Sequence, residues 1–411
     1  MRHLVILGAG TAGTMVANRM VRRLSPRDWT VTVIDPETVH LYQPGLLFLP
    51  FGDRDEQELL RPRANTLDEG VTWVPQAVRA VDVGGRRVET DDGRSFPYDL
   101  LVIATGAQVR PDLTEGMLGD LWQRSAFDFY TLDGATKLRD ALERFKGGRL
   151  VINVVEMPIK CPVAPLEFAF LADAYFRRKG MREGVEITFA TPLDGAFTRP
   201  VASKRLGHLL EEKNIKVVTE FACGSVTDGK VVSYDEREIP FDLLVTVPTH
   251  SGADFVTRSG LGNELGFIAT DKHTLAVKGA DGVFALGDAT DVPASKAGSV
   301  AHFEAETIIE NLERAAAGKA LEPSFDGHAN CFVETGDGKA LLIDFNYDTE
   351  PLPGKYPLPG IGPFSLLEES AINHQGKKAF RWIYWHGLLP GKPIPVPAHM
   401  SMAGKRPAEE A

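Results

Sequence analysis

Apolar positions along this chain follow two alternating rhythms. Short unbroken apolar runs, Leu4 to Leu7, Thr30 to Ile34 and the stretch Tyr98 to Gly106, read as strands buried on both faces. After the first of them, Ala17, Met20, Val21 and Leu24 recur at helical spacing and predict an amphipathic helix. Val71 to Val81 and Arg87 to Thr90 are expected to form a small antiparallel insertion. The strand rhythm returns at Arg149–Val155, Val185–Ala190, Ile215–Thr219 and Asp242–Pro248. Helical patterns separate these runs, one within 127–145 and others over Leu166–Arg178 and Ser203–Lys213. A last strand, Asp281–Asp288, is followed by a helix from Gly298 to Arg314. Strands alternating with helices predict an α/β fold with two doubly wound, Rossmann-like units.

The turns at the strand ends say what such units hold. Gly8, Gly10 and Gly13 form a glycine-rich turn between the first strand and its helix, and Asp35 ends the next strand 22 residues after Gly13. Glycines let the backbone approach a pyrophosphate, and an acid at about that distance can hold a ribose hydroxyl. Ala104-Thr105-Gly106 closes another buried strand with small residues, which again permits close approach of a ligand. Gly287-Asp288 places a carboxylate before a helix N-terminus, and Lys296 precedes that helix. Lys296 serves the ligand edge or is simply solvated. These residues together predict a bound dinucleotide.

The loop where a second phosphate cradle is expected has no glycine. It reads Val154-Val155-Glu156-Met157-Pro158-Ile159-Lys160-Cys161-Pro162-Val163-Ala164-Pro165-Leu166-Glu167. A nicotinamide site is thus expected to have given way to a thiol site. Cys161 is expected at a helix N-terminus, where the dipole favours a thiolate, with Pro162 and Pro165 in the first turn. Glu167 can shuttle protons or merely complement the dipole. The bland reading of Cys161 and Cys331 is a small buried core thiol, and for Cys223 this is the expectation adopted.

Composition narrows the classes. The 411 residues are 43% hydrophobic and 25% charged, enough for two domains or more. A net charge of −11 argues against nucleic acid as a partner. Three cysteines are too few and scattered for a disulfide framework or metal knuckle, so no metal is expected. No apolar run reaches the roughly 18 residues of a membrane-spanning helix, and no leader pattern is visible, so the default compartment is cytoplasmic. The segment Ala371–Pro393 departs from the acidic remainder: it holds Lys377, Lys378, Arg381 and Lys392 with no acid, and Phe380, Trp382, Tyr384 and Trp385 among them. A basic, aromatic helix suits an anionic membrane surface, and Lys377, Phe380 and Tyr384 at helical spacing suit a quinone ring. The same stripe would serve as a core or dimer helix, which leaves a homo-oligomer open.

The glycine turn, Ala104-Thr105-Gly106, Gly287-Asp288 and Cys161-Pro162 with Glu167 and the late Cys331 resemble sulfide:quinone oxidoreductase and the flavoprotein of flavocytochrome c sulfide dehydrogenase. Both are two-dinucleotide-binding-domain flavoproteins of the disulfide reductase superfamily. The resemblance implies an FAD enzyme in which Cys161 and Cys331 relay sulfur from sulfide and electrons pass to a membrane quinone. It implies a layout of 1–107 and 271–320 as the FAD-binding domain, 108–270 as the second Rossmann-like domain carrying Cys161, and 321–411 as a C-terminal region with Cys331 and a docking segment. A third cysteine common in that family in the 120s is absent, since Leu121 to Asp128 contains none. Alternatives from the same residues are a type II NADH:quinone dehydrogenase, a sulfide dehydrogenase flavoprotein donating to a cytochrome, and a sulfur-carrier or sensor flavoprotein without turnover.

Overall fold

The computed structural model describes residues 1–406 except 228, 359–361, 393 and 395. The expected Pro- and Gly-rich run 351–363 and the end of the 371–393 segment therefore lie partly outside the described residues. The first strand, β1 (Arg2–Leu7), leads through the glycine turn into α1 (Thr11–Arg23) and on to β2 (Trp29–Ile34). With β3 (Val71–Val74), β4 (Leu100–Ile103) and a strand contributed from far along the chain at Val283–Ala285, these form one parallel sheet. Leu4, Ile6 and Val102 are wholly buried, as continuous apolar strands in a parallel sheet require.

One expectation is corrected here. Val71–Val74 is not part of an antiparallel insertion; it pairs in parallel with β2 as the sheet edge. Only Val78–Asp82, Arg87–Thr90 and Ser95–Pro97 form the antiparallel excursion. Pro75, between Val74 and Val78, is the break in the apolar run that separates the two sheets.

The second parallel sheet contains β5 (Ala126–Phe127), β6 (Gly148–Val154), β7 (Val185–Ala190), β8 (Lys216–Val218) and β9 (Leu243–Val247), in the order β5-β9-β6-β7-β8. Its helices are α2 (Leu132–Arg144), α3 (Ala164–Arg178) and α4 (Pro200–Glu212). The strand β10 (Val283–Ala285) then returns to the first sheet, whose order is β10-β4-β1-β2-β3, and α5 (Gly298–Ala316) follows. Helix α3 is buried along almost its whole length, from Ala164 to Phe176. It lies between the second sheet and a third one that the apolar pattern did not reveal.

That third sheet comprises β11 (Ala329–Gly336), β12 (Lys339–Phe345), β13 (Gly354–Leu358) and β14 (Gly362–Leu366), in the order β11-β12-β14-β13. Asp337 and Gly338 turn the β11–β12 hairpin, both with positive φ. Helix α6 (Ala371–Ile383) packs on this sheet, capped by Ser370, whose hydroxyl accepts from the N–H of Asn373. A π-helical turn, Tyr384–Leu388, continues it into the core, where Tyr384, Trp385 and Leu388 are buried. The tail is pinned as well. The Lys405 side chain is 1% exposed and pairs with the wholly buried Asp344 of β12, which His328 also contacts at 2.7 Å. Among the described residues no helix is long and apolar enough to cross a membrane.

Candidate active site

One cavity of about 460 Å³ runs from the end of β2 to the start of α3. Gly8, Gly10, Asp35, Ala104, Thr105, Gly106, Gly287, Asp288 and Lys296 line it, together with Cys161, Glu167, Lys377 and Tyr384. The strands place these residues there because parallel sheets present their carboxyl ends on one side.

At the end formed by the glycine turn, Gly8 has φ +90° and a Cβ there would meet the Ala104 carbonyl oxygen at 2.5 Å. A Cβ on Gly13 would lie 1.9 Å from the Gly8 carbonyl oxygen, so this glycine seats α1 against the turn although it does not line the cavity. Gly10 is different: a Cβ would meet nothing within 4 Å, because its open side is the cavity. The Asp35 carboxylate accepts from the Ala9 N–H at 2.5 Å and the Glu37 N–H at 2.8 Å, which ties β2 to the turn. Arg63, 3% exposed, was not anticipated. It bonds Asp35 at 3.3 Å and His40 Nδ1 at 3.0 Å and also reaches the Ala9 carbonyl. An arginine far from every motif carries no local signal for this role.

Further along, the Thr105 hydroxyl is buried without a partner, Gly106 stands in left-handed conformation facing open space, and α5 begins without a side-chain cap. An unpaired hydroxyl, open glycines and the uncapped starts of α1 and α5 are what a dinucleotide with an anionic centre would satisfy. The cavity therefore fits FAD: the glycine turn and Asp35 would hold its nucleotide half, and Thr105, Gly287 and Asp288 its other half. Lys296 is not solvated. It is 7% exposed, and its ammonium donates to the carbonyls of Asp288 and Thr290 at 3.0 and 2.6 Å. Burial pushes Asp288 upward against the pull of Lys296 and Lys160, so the three form a charge cluster on the cavity wall. Glu304, also unanticipated, accepts from the Gly287 N–H; burial raises it to about 7.

The thiol end departs from expectation in one respect. Cys161 is not in the first turn of α3; it precedes the helix by three residues and has φ 47°, with its N–H donating to the Lys296 carbonyl at 2.5 Å. Left-handed backbone at a non-glycine residue costs roughly 1–3 kcal/mol and recurs at functional sites. Pro165 lies in the first turn, whereas Pro162 lies before it. Burial, then Glu167 and Cys331, push Cys161 upward, and Lys377 and the Ala164 N–H at the start of α3 oppose them without prevailing. Cys331 on β11 is pushed up to about 11, chiefly by burial. Both cysteines are free thiols, and both feel Glu167 and Lys377. Cys331 is not a cavity-lining residue, whereas Cys161 is. Cys223 is 3% exposed in a separate apolar cluster, as a core thiol should be.

Glu167 and Lys377 join the pieces. The Glu167 carboxylate is 1% exposed, pairs with the Lys377 ammonium, and accepts from the Glu334 N–H at 2.7 Å. Lys377 also donates to the Phe332 carbonyl at 2.9 Å, one residue from Cys331. Burial raises Glu167, with Lys377 in opposition; burial lowers Lys377, but Glu167, Glu334 and Cys161 outweigh it and hold it above its ordinary value. The helical stripe of α6 thus divides. Lys377 meets the thiol end, Phe380 is half-buried against the core outside the cavity lining, and Tyr384 belongs to the nucleotide end. The Tyr384 hydroxyl is shared between Thr11 and His40 at 2.7 Å each. Tyr130, which sequence reading missed, caps the Cys161 loop by donating to its carbonyl at 3.3 Å.

Residues 2–155 match the family model for pyridine nucleotide-disulphide oxidoreductases. The chain is 25% identical over 398 residues to the mitochondrial sulfide:quinone oxidoreductase of Mus musculus, covering 95% of this chain and 86% of that one. It is 31% identical over 296 residues to an NADH dehydrogenase-like protein of Mycobacterium tuberculosis, covering 70% and 72%. The crystal structure of the sulfide:quinone oxidoreductase from Aquifex aeolicus superposes with a TM-score of 0.81 at 20% identity, over 95% of this chain and 92% of that one. Fold and site define an FAD-dependent oxidoreductase of the two-dinucleotide-binding-domain class. Within that class the chain is similar over nearly its whole length to sulfide:quinone oxidoreductases.

Proposed function

We propose that this protein oxidises sulfide to sulfane sulfur at Cys161 and Cys331 and delivers the electrons to a quinone. The observation that carries the reading is the shared surrounding of Cys161, Cys331, Glu167 and Lys377 at one end of a dinucleotide cavity. FAD, when bound, supplies the two-electron carrier between sulfur and quinone. The protein groups divide the remaining work. In the oxidised enzyme a Cys161–Cys331 bond presents an electrophilic sulfur, and hydrosulfide attacks it. The S–S bond breaks, leaving a persulfide on one cysteine and a thiolate on the other. Lys377 stabilises that thiolate, which burial alone would disfavour. Glu167 holds or returns the proton at the thiol site through its unbonded Oε2.

The quinone is assigned to the α6 side, with Lys377 toward its carbonyl oxygen and Phe380 beside its entry. Tyr384, expected beside them, stands at the nucleotide end with its hydroxyl committed to Thr11 and His40, and is left out of the quinone site. Ile372 and Trp382 of α6 are 53% and 66% exposed, and this face suits an anionic lipid surface. The relative among NADH dehydrogenase-like proteins suggests a second reading, hydride transfer from NADH. The glycine-free loop from Val154 to Glu167 opposes it, because no phosphate cradle can form there. The test is anaerobic titration with sulfide against NADH. Sulfide should bleach the flavin absorbance and NADH should not; the reverse pattern overturns the proposal.

A further inference from the structure

We propose that Glu334 and His374 form a proton-exchange pair that connects the Glu167–Lys377 pair to solvent, an inference that rests on the functional reading above and extends it. Its basis is geometric. Glu167 lines the cavity, one of its oxygens is held by Lys377 and the Glu334 N–H, and the other is buried without a hydrogen-bond partner. Lys377 spends two of its three N–H donors on Glu167 and the Phe332 carbonyl. Glu334 stands two residues beyond Phe332 on β11, its side chain 1% exposed. Its carboxylate meets Nδ1 of His374 at 3.0 and 2.9 Å. His374 lies one turn before Lys377 on α6, so the same helix face brings both to β11. The His374 side chain is 20% exposed and reaches water.

Two carboxylates and two bases thus alternate from the cavity to the surface. Fixing Lys377 would require only Glu167; burying a second carboxylate under a histidine at the water end costs desolvation that a purely structural pair does not need. The chemistry supplies the need. Oxidation of hydrosulfide by a quinone consumes one proton from solvent for each sulfur: HS⁻, H⁺ and quinone become sulfane sulfur on cysteine and quinol. Glu167 gives a proton to the cavity, Lys377 reprotonates Glu167, and His374 reprotonates Glu334 after taking its own proton from water at Nε2; between Glu334 and Lys377, which act on each other through charge without a direct bond, the proton passes in a water-bridged step. Each step moves one proton and no electron.

The holoenzyme is assayed anaerobically with sulfide and a short-chain quinone as wild type, His374→Ala and Glu334→Gln, with and without imidazole. In His374→Ala, kcat should fall about tenfold or more, with KM for sulfide within about twofold of wild type. Imidazole should restore most of that kcat, and it should not restore Glu334→Gln. Wild-type kcat in both variants, or an FAD-replete His374→Ala protein that imidazole cannot rescue, overturns the proposal. Should His374→Ala fail to fold, His374→Gln replaces it: loss of kcat with an unchanged melting temperature supports the relay, and wild-type kcat overturns it. A wild-type protein inert to sulfide would overturn the functional reading together with the relay, whereas active wild type with unimpaired variants would overturn the relay alone.

Discussion

Cys161 combines a left-handed backbone, a buried thiol and a place on the cavity wall. The strain and the burial oppose each other's usual purposes. A thiol that must be reactive is normally lowered, but here burial raises it and Lys377 supplies the counter-charge. In the proposed mechanism such a cysteine rests as a disulfide or sulfur bridge and becomes a thiolate only on cleavage. Cys161→Ser should accordingly reduce sulfide-dependent quinone turnover by about 10³-fold or more while FAD stays bound. Turnover near wild type, with flavin absorbance intact, would remove the thiol from the mechanism. The glycine-free loop made Cys161 legible in the sequence; Tyr130, Lys160 and Arg63 were not, because their roles depend on contacts between distant segments.

At the scale of elements, the C-terminal helix is wired to the nucleotide end of the cavity. Its π-helical extension places Tyr384 against Thr11 at the start of α1 and against His40, and Arg63 holds the other His40 nitrogen. His40 is 1% exposed, and burial followed by Arg63 lowers it to about 3 from 6.5. Because the folded value is depressed, the neutral ring contributes stability that is fully present above pH 6.5 and is lost as the pH falls toward 3. The loss should reach several kcal/mol at the acid end of that window. Urea midpoints at pH 4 and pH 7 should therefore differ more for the wild type than for His40→Gln. An identical difference in the two proteins would show that His40 does not titrate on unfolding. Hydrophobic periodicity predicted α6 as a helix, yet it could not say that Lys377 and Tyr384 serve opposite ends of one cavity. Seven residues span two turns, about 10 Å of helix, and the cavity is long enough to use both ends.

For the whole molecule, the region from β11 onward is a structural layer of the fold. Its sheet covers α3, α6 covers the sheet, and Lys405 closes the arrangement by pairing with Asp344. Removing this region would uncover Glu167 as well as any lipid-binding face, so deletion cannot separate docking from catalysis. Point changes on the exposed face can. Replacing Ile372 and Trp382 by Glu and Ala should weaken binding to anionic vesicles about tenfold or more, with the melting temperature unchanged. Equal vesicle binding by the variant would remove this face from the membrane assignment. The parallel sheets were readable because their strands are continuous apolar runs, whereas β11–β14 mix polar and apolar residues and pair mostly across tight hairpins.

By itself the sequence determined the two parallel-sheet units, the glycine turns and the replacement of a phosphate cradle by a cysteine loop. These depend on neighbouring residues, whose periodicity and backbone freedom act over a few positions. Only the tertiary structure decided that Cys331 joins Cys161 beside Glu167 and Lys377, that Lys296 is buried, and that Tyr384 belongs to the nucleotide end. The first and last of those outcomes depend on how α3, β11 and α6 meet the rest of the molecule, and that is settled by packing among segments separated by more than a hundred residues.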